Sequence, residues 1–529
     1  MNAATGQSAT PRAWGDEAQR WRRFYADRLP GQLRLAVDFV DGRPAAEVRP
    51  HFDSCLALLN AAGQRAELRP LWLALVDRLH PLPVRWGEWS LWLATLQQAA
   101  DHAAALGRPA QQAEYLAHAA GLLLNTGRLE PARDTAGEAL RLAQESGAAW
   151  PLCLAGSVVA ATLRAQARYG EAQTFVDELR ADLARLPAAQ PPARAAMGTA
   201  RLDLETMDTL RHSAQPELAL TLSETVIDRL ADVPGIDPHD LATIYMRRAT
   251  IRWAFDRYPP AADDLRRAAE LYRQAGDELQ ATFAEANLGT VYLSMSRYGE
   301  AEALKLAAIR AAEEVNARHV LVSELGDLGV IYLGMGRVEL LLEYSNRMVK
   351  LATELGNDAE LSRGRGNRAS ALLALGRAAE ALPDIESSLS RYHAQGRKEG
   401  AIVTTIDMVL YLEAIGDEAG AARLARENHA AALREDFPKL PIVTGRCLAP
   451  FLPPAERRAL LTEMLAAARA YGRPMDAAGC LFALAAIGAD PAERAVHYRE
   501  GVELVKQMGA TAWLAGRSPA NPPWLPMMI

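Results

Sequence analysis

The stretch TFAEANLGTVYLSMSRYGEAEALKLAAIRAAEEV, Thr282 to Val315, decides the fold. Up to Met295 its apolar residues are Phe283, Leu288, Val291, Tyr292 and Met295, the last four at the i, i+3, i+4, i+7 spacing that sets them along one side of a helix. After a turn at Arg297-Tyr298 a second stripe follows, made of Ala301, Leu304, Ala308, Ala311 and Val315. An isolated helical hairpin cannot keep both stripes dry, so this segment needs similar neighbours on either side.

The neighbours are there. From about Pro238 to Pro438 the pattern recurs every forty residues, with one set of turns at Arg257-Tyr258, Arg297-Tyr298, Gly336-Arg337, Gly376-Arg377 and Gly416-Asp417. A second set falls at Gly276, Asn316, Gly356 and Gly396, residue types that tolerate the left-handed backbone closing a helix. The pattern predicts an all-α fold, an α-α superhelix in which antiparallel helix pairs stack as a solenoid and stabilise one another through nearest-neighbour contacts.

Asn287-Leu288-Gly289 with Tyr292, then Arg297-Tyr298, Glu300-Ala301 and Ala308, resembles the tetratricopeptide repeat, and Leu328-Gly329, Tyr332 and Gly336 repeat its first half. Outward the fit loosens, with Ala369 and Val409 at the glycine position, Leu372 and Leu412 at the tyrosine and Leu341 at a small-residue position. The forty-residue period is similar to the longer repeats of maltose-regulator-like signalling ATPases and related bacterial regulators. The resemblance implies a right-handed superhelix whose concave face binds a partner.

Half of the 529 residues are apolar and 23% are charged, a composition suited to a folded chain too long for a single compact core. The formal charge of -7 argues against a general nucleic-acid or anionic-membrane binder, which needs concentrated positive charge. Cys55, Cys153, Cys447 and Cys480 lie far apart without metal-ligand spacing, and no apolar signal segment opens the chain, so a cytoplasmic protein is expected. The uncharged stretch Ser146 to Leu163 is interrupted by Pro151 and reads as a buried repeat helix.

Along the chain we expect a disordered leader at 1–14, an N-terminal helical cap at 15–84, first repeats at 85–186 and a degenerate repeat with Pro-rich breaks at 187–237. The regular array at 238–437 follows, then a Pro-rich hinge at 438–454, a C-terminal helical repeat and cap at 455–515 and a Pro-rich tail at 516–529. Trp72, Trp86, Trp89 and Trp92 concentrate aromatic bulk near the cap and read as its core, with a docking hot spot as the other reading. The tail carries Trp524, Leu525, Met527, Met528 and Ile529, an apolar group costly to expose, and is expected to dock on a helical surface of its own or another copy.

The sequence contains no phosphate-binding GxxxxGK[ST] loop, no HExxH and no CxxC. Gly364-Arg365-Gly366-Asn367-Arg368-Ala369 matches GxGxxA but falls inside a repeat helix, and His51 with Cys55 supplies only two potential metal ligands. No catalytic residue, metal or cofactor is expected, and the chain reads as a non-enzymatic scaffold.

In tetratricopeptide arrays the first helix of each pair lines the groove, and the position before the motif's leucine points into it. The resemblance places Arg247, Asn287, Asp327, Asn367 and Asp407 there, with Arg363, Arg365 and Arg368 nearby. All five row positions are polar in mid-helix, where asparagine and aspartate have poor propensity. They either bind a partner or hydrogen-bond neighbouring helices. The leading expectation is a protein or peptide partner in the groove; the alternative is a regulatory sensor that responds to a small molecule or peptide and controls a transcription or signalling protein.

Overall fold

The computed structural model describes residues 27–80, 82–166, 168–186, 191–212, 215–231, 233–315, 317–394, 396–435, 437–519 and 521. The expected leader at 1–14, the punctuating Asn316 and the apolar tail residues 522–529 lie outside them, and so does the expected docking of that tail. Among the described residues the chain is all-α, with one isolated bridge between Ser518 and Asn521.

The helices are uniform because their ends are. Asp256, Ser296, Gly336, Gly376 and Gly416 all take positive φ, between 58° and 84°, and Gly276, Gly356 and Gly396 do the same twenty residues out of phase. At each of the first five the following amide donates back to a carbonyl five residues earlier: Arg257 to Arg252, Arg297 to Tyr292, Arg337 to Tyr332, Arg377 to Leu372 and Asp417 to Leu412, all at 2.8–2.9 Å. This six-to-one hydrogen bond closes the last turn and reverses the chain. Asp256 and Ser296 do so without glycine, which is why the sequence pattern located these two turns by their Arg-Tyr pair alone.

The chain divides into two compact units, Met1–Ile251 with Glu270–Ala281 and Arg252–Ala269 with Thr282–Ile529. In the first unit the tryptophans form core: Trp72 and Trp92 are at most 1% exposed, and their indole N–H groups donate to the Leu59 carbonyl at 2.8 Å and to His80 Nδ1 at 3.1 Å. Burying the N–H with a partner avoids the penalty of an unsatisfied donor. The uncharged stretch forms helix Ala149–Ala165, whose Leu152, Cys153 and Ala160 pack with Leu142, Val176, Leu179 and Leu202. Among the described residues no helix is long and apolar enough to cross a membrane.

In the second unit, helices Tyr298–Glu314, Arg318–Met335, Val338–Leu355, Asp358–Ala374, Ala378–Ala394, Lys398–Ala414 and Glu418–Ala432 follow in order. Ala369 and Leu372 of one helix pack against Ala381 and Ile385 of the next, the small residues letting the backbones approach. The segment expected as a Pro-rich hinge contains the short helix Leu440–Leu448, whose Val443, Cys447 and Leu448 share a core with Ile406, Val409, Ala421 and Ala425. Pro441 sits in that helix's first turn, where its missing N–H costs nothing.

Helices Pro454–Ala470, Pro474–Ile487 and Pro491–Gln507 complete the unit, followed by the single turn Thr511–Leu514. That turn folds back onto the array. Trp513 Nε1 donates to the carbonyls of Leu333 at 3.3 Å and Gly334 at 3.1 Å, at the end of helix Arg318–Met335.

Candidate functional site

The polar row predicted on the first helices divides between the two units. Arg247, in the first, forms an ion pair with Asp208, and Asp208 and Glu205 are also held by Arg164. Asp208 first, and then Glu205, hold the Arg247 guanidinium charged against its burial. Arg247 is thus engaged in a four-residue network joining helices Ala149–Ala165, Pro192–His212 and Pro238–Ala254.

The second unit holds Asn287, Asp327, Asn367 and Asp407 on four successive first helices. Asn287 is exposed. Asp327 is the centre of a buried charge network: Lys305 Nζ lies 2.7 Å from its Oδ2, Arg363 Nη1 lies 2.8 Å from Oδ1, and Thr290 Oγ1 donates to Oδ2 at 3.0 Å. Lys305, on the second helix of its pair and 0% exposed, also lies 2.8 Å from Glu324 and donates to Thr290 at 2.7 Å. Burial opposes the charge on Asp327, but Lys305 and Arg363 together outweigh it and hold the carboxyl well below the usual range. Burial opposes the Lys305 ammonium in the same way, and Asp327 and Glu324 hold it charged.

Arg363 extends this network along the helices, donating to the Ser323 carbonyl at 2.9 Å and to Glu360 at 2.9 Å. Asn367 Nδ2 donates to the Gly326 carbonyl at 3.2 Å. Arg368 grips Asp384 through two hydrogen bonds of 2.6 and 2.7 Å, and Arg365 donates to Ser387. The three arginines near the row are therefore engaged within the fold.

Asp407 differs. Among the described residues it accepts a hydrogen bond from Ser370 Oγ at 3.0 Å, and burial pushes its carboxyl up to about 7. It lines a cavity of about 450 Å³ together with Leu333, Ser370, Leu373, Ile406, Leu410, Glu413 and Trp513. Glu413 stands exposed at the rim of the cavity, and its carboxyl is raised as well, first by partial desolvation and then by Glu418. Among the described residues no cluster of three or more potential metal ligands occurs.

Of the sequence-predicted positions, the second unit thus brings Asp327, Arg363 and Asn367 together, sets Asp407 at a cavity and leaves Asn287 open, while Arg247 belongs to the first unit. Sequence reasoning missed Lys305, Glu324, Glu413 and Trp513. Lys305 did leave a signal, since it follows Ala301 by four on an apolar stripe, where a charge requires a buried partner. Trp513 left none, because its place depends on the return of the chain after helix Pro491–Gln507.

These features define a tetratricopeptide-like helical-repeat protein with polar residues on successive first helices. No family model matches the sequence, and no curated protein matches it significantly. Solved structures do match. A Rap protein complexed with competence and sporulation factor superposes with a TM-score of 0.52 at 13% identity, covering 68% of this chain and 99% of that one. The apo form of the quorum sensor NprR from B. thuringiensis gives 0.50 at 15% identity over 67% of this chain and 97% of that one. The apo form of RapI gives 0.48 at 13% identity, covering 68% and 97%. At these identities the likeness to the first two is one of fold.

Proposed function

We propose that this chain is a ligand-responsive regulatory protein of the cytoplasm, non-catalytic itself, which binds a short peptide or small molecule along the first helices of its second unit and passes the change to a partner protein. The carrying observation is the run from exposed Asn287 past the Asp327 network to the cavity at Asp407, polar groups on successive helices leading to an apolar recess. Such a surface, with a few placed polar groups beside apolar walls, suits a small ligand better than a broad protein face. The fold shared with a Rap protein crystallised with competence and sporulation factor and with the quorum sensor NprR favours the same reading. The likeness of the forty-residue period to maltose-regulator-like proteins belongs to this proposal, as a second instance of arrays that sense ligands.

The scaffold reading weakens because the row's charges at Arg247, Asp327 and Arg363 are committed to neighbouring helices. The test is selection of binders from a randomised short-peptide library and a metabolite library, followed by titration on wild type and on the Asn287→Ala/Asn367→Ala double variant. Binders that lose at least tenfold in affinity on the variant support the proposal. Binders indifferent to the variant, or none at all, overturn it.

A further inference from the structure

Carboxylates recessed in the second unit are neutralised by a cation as a rule. Asp264 has Arg252 at 2.8 Å, Asp327 has Lys305 at 2.7 Å, Asp384 has Arg368 at 2.6 Å, and Asp476 has both Arg446 at 2.5 Å and Arg473 at 2.6 Å. Asp407 breaks the rule: among the described residues its polar partner is the Ser370 hydroxyl. The cavity it lines presents a second carboxylate, Glu413, and no arginine, lysine or histidine.

The remaining wall is apolar. Leu333, Leu373, Ala374, Ile406, Leu410 and Ala414 come from three successive first helices, and Trp513 from the returning C-terminal turn. The indole is fixed by its N–H on the Leu333 and Gly334 carbonyls, so the aromatic wall is part of the folded array. A volume of about 450 Å³ is ample for a small organic molecule.

We infer that this cavity is a site for an organic cation, an ammonium group on an apolar body, with the charge set against Asp407 and Glu413 and the body against the leucines and Trp513. An ammonium beside Asp407 supplies the counter-charge that every other recessed carboxylate compared above receives from the chain, and an aromatic wall favours a cation over an anion or a neutral group. This rests on the ligand-binding reading proposed above and gives it a chemical class. The same chemistry comes either from a free amine or from the basic side chain of a bound peptide.

The experiment is calorimetric titration of the full chain at pH 7.5 with octylammonium, octanol and octanoate. A parallel arm uses acetyl-Leu-Lys-Leu-amide and its analogue with norleucine in place of lysine. Each is repeated on Asp407→Asn and Glu413→Gln, whose folding is checked by circular dichroism. The inference predicts that octylammonium or the lysine peptide binds at least tenfold more tightly than its uncharged counterpart, and that Asp407→Asn removes this preference. Preference for octylammonium alone assigns a free amine, and preference for the lysine peptide alone assigns a peptide side chain. Equal binding of charged and uncharged probes, tighter binding of octanoate, an unchanged preference in Asp407→Asn, or no binding by either cation overturns the site. If library binders still respond to Asn287→Ala/Asn367→Ala in that case, the proposed function stands without it.

Discussion

Lys305 and Asp407 are opposite solutions to one problem, the placement of a charge among packed helices. Lys305 is matched by Asp327, Glu324 and Thr290, so deleting it strands carboxylates that have little access to water. Lys305→Met is expected to lower stability by about 3 kcal/mol, and Lys305→Met/Glu324→Gln/Asp327→Asn to recover part of that loss, both read from denaturant midpoints. Among the described residues Asp407 lacks such a match, and its folded-state carboxyl at about 7 lies above its ordinary value. The folded protein thus holds this proton more tightly than the unfolded chain. The stability it contributes is full below the ordinary carboxylate range and is lost as pH rises through about 7. Asp407→Asn should therefore raise stability by roughly 2 kcal/mol at pH 8, with a smaller gain at pH 5, in thermal melts at the two pH values. An equal gain at both would contradict the assignment.

Helix ends carry most of the information at the level of elements. The turns at Gly336, Gly376 and Gly416 were legible because glycine marks a positive φ, whereas Asp256 and Ser296 take the same conformation under the pull of the packed array. The polar row was legible from its forty-residue spacing. Its partners were not, because a hydrogen bond such as Asn367 to Gly326 depends on how two repeats stack and leaves no local signature. Close packing makes a sharp prediction here. A Cβ added at Gly334 would lie 2.6 Å from Tyr298 Cζ, and Tyr298 is only 1% exposed. Gly334→Ala should cost about 2 kcal/mol and loosen the Trp513 contact, read as a lower denaturation midpoint with altered tryptophan fluorescence.

For the molecule as a whole, the repeat period determines the fold class, since stacked helix pairs are the arrangement that buries both apolar stripes of every pair. Function was less legible. The five row positions and Arg363 marked a face, yet the structure shows Arg247, Asp327 and Arg363 committed to internal ion pairs; Asn287, Asn367, whose amide also donates to the Gly326 carbonyl, and the Asp407 cavity are the positions we propose for contact with a ligand. The most direct measurement is hydrogen–deuterium exchange of the full chain with and without a selected binder. Ligand binding along the first helices predicts slowed exchange in Arg318–Met335, Asp358–Ala374 and Lys398–Ala414, with the second helices Val338–Leu355 and Ala378–Ala394 unchanged. Protection on those second helices alone, or in none of the five, would contradict it.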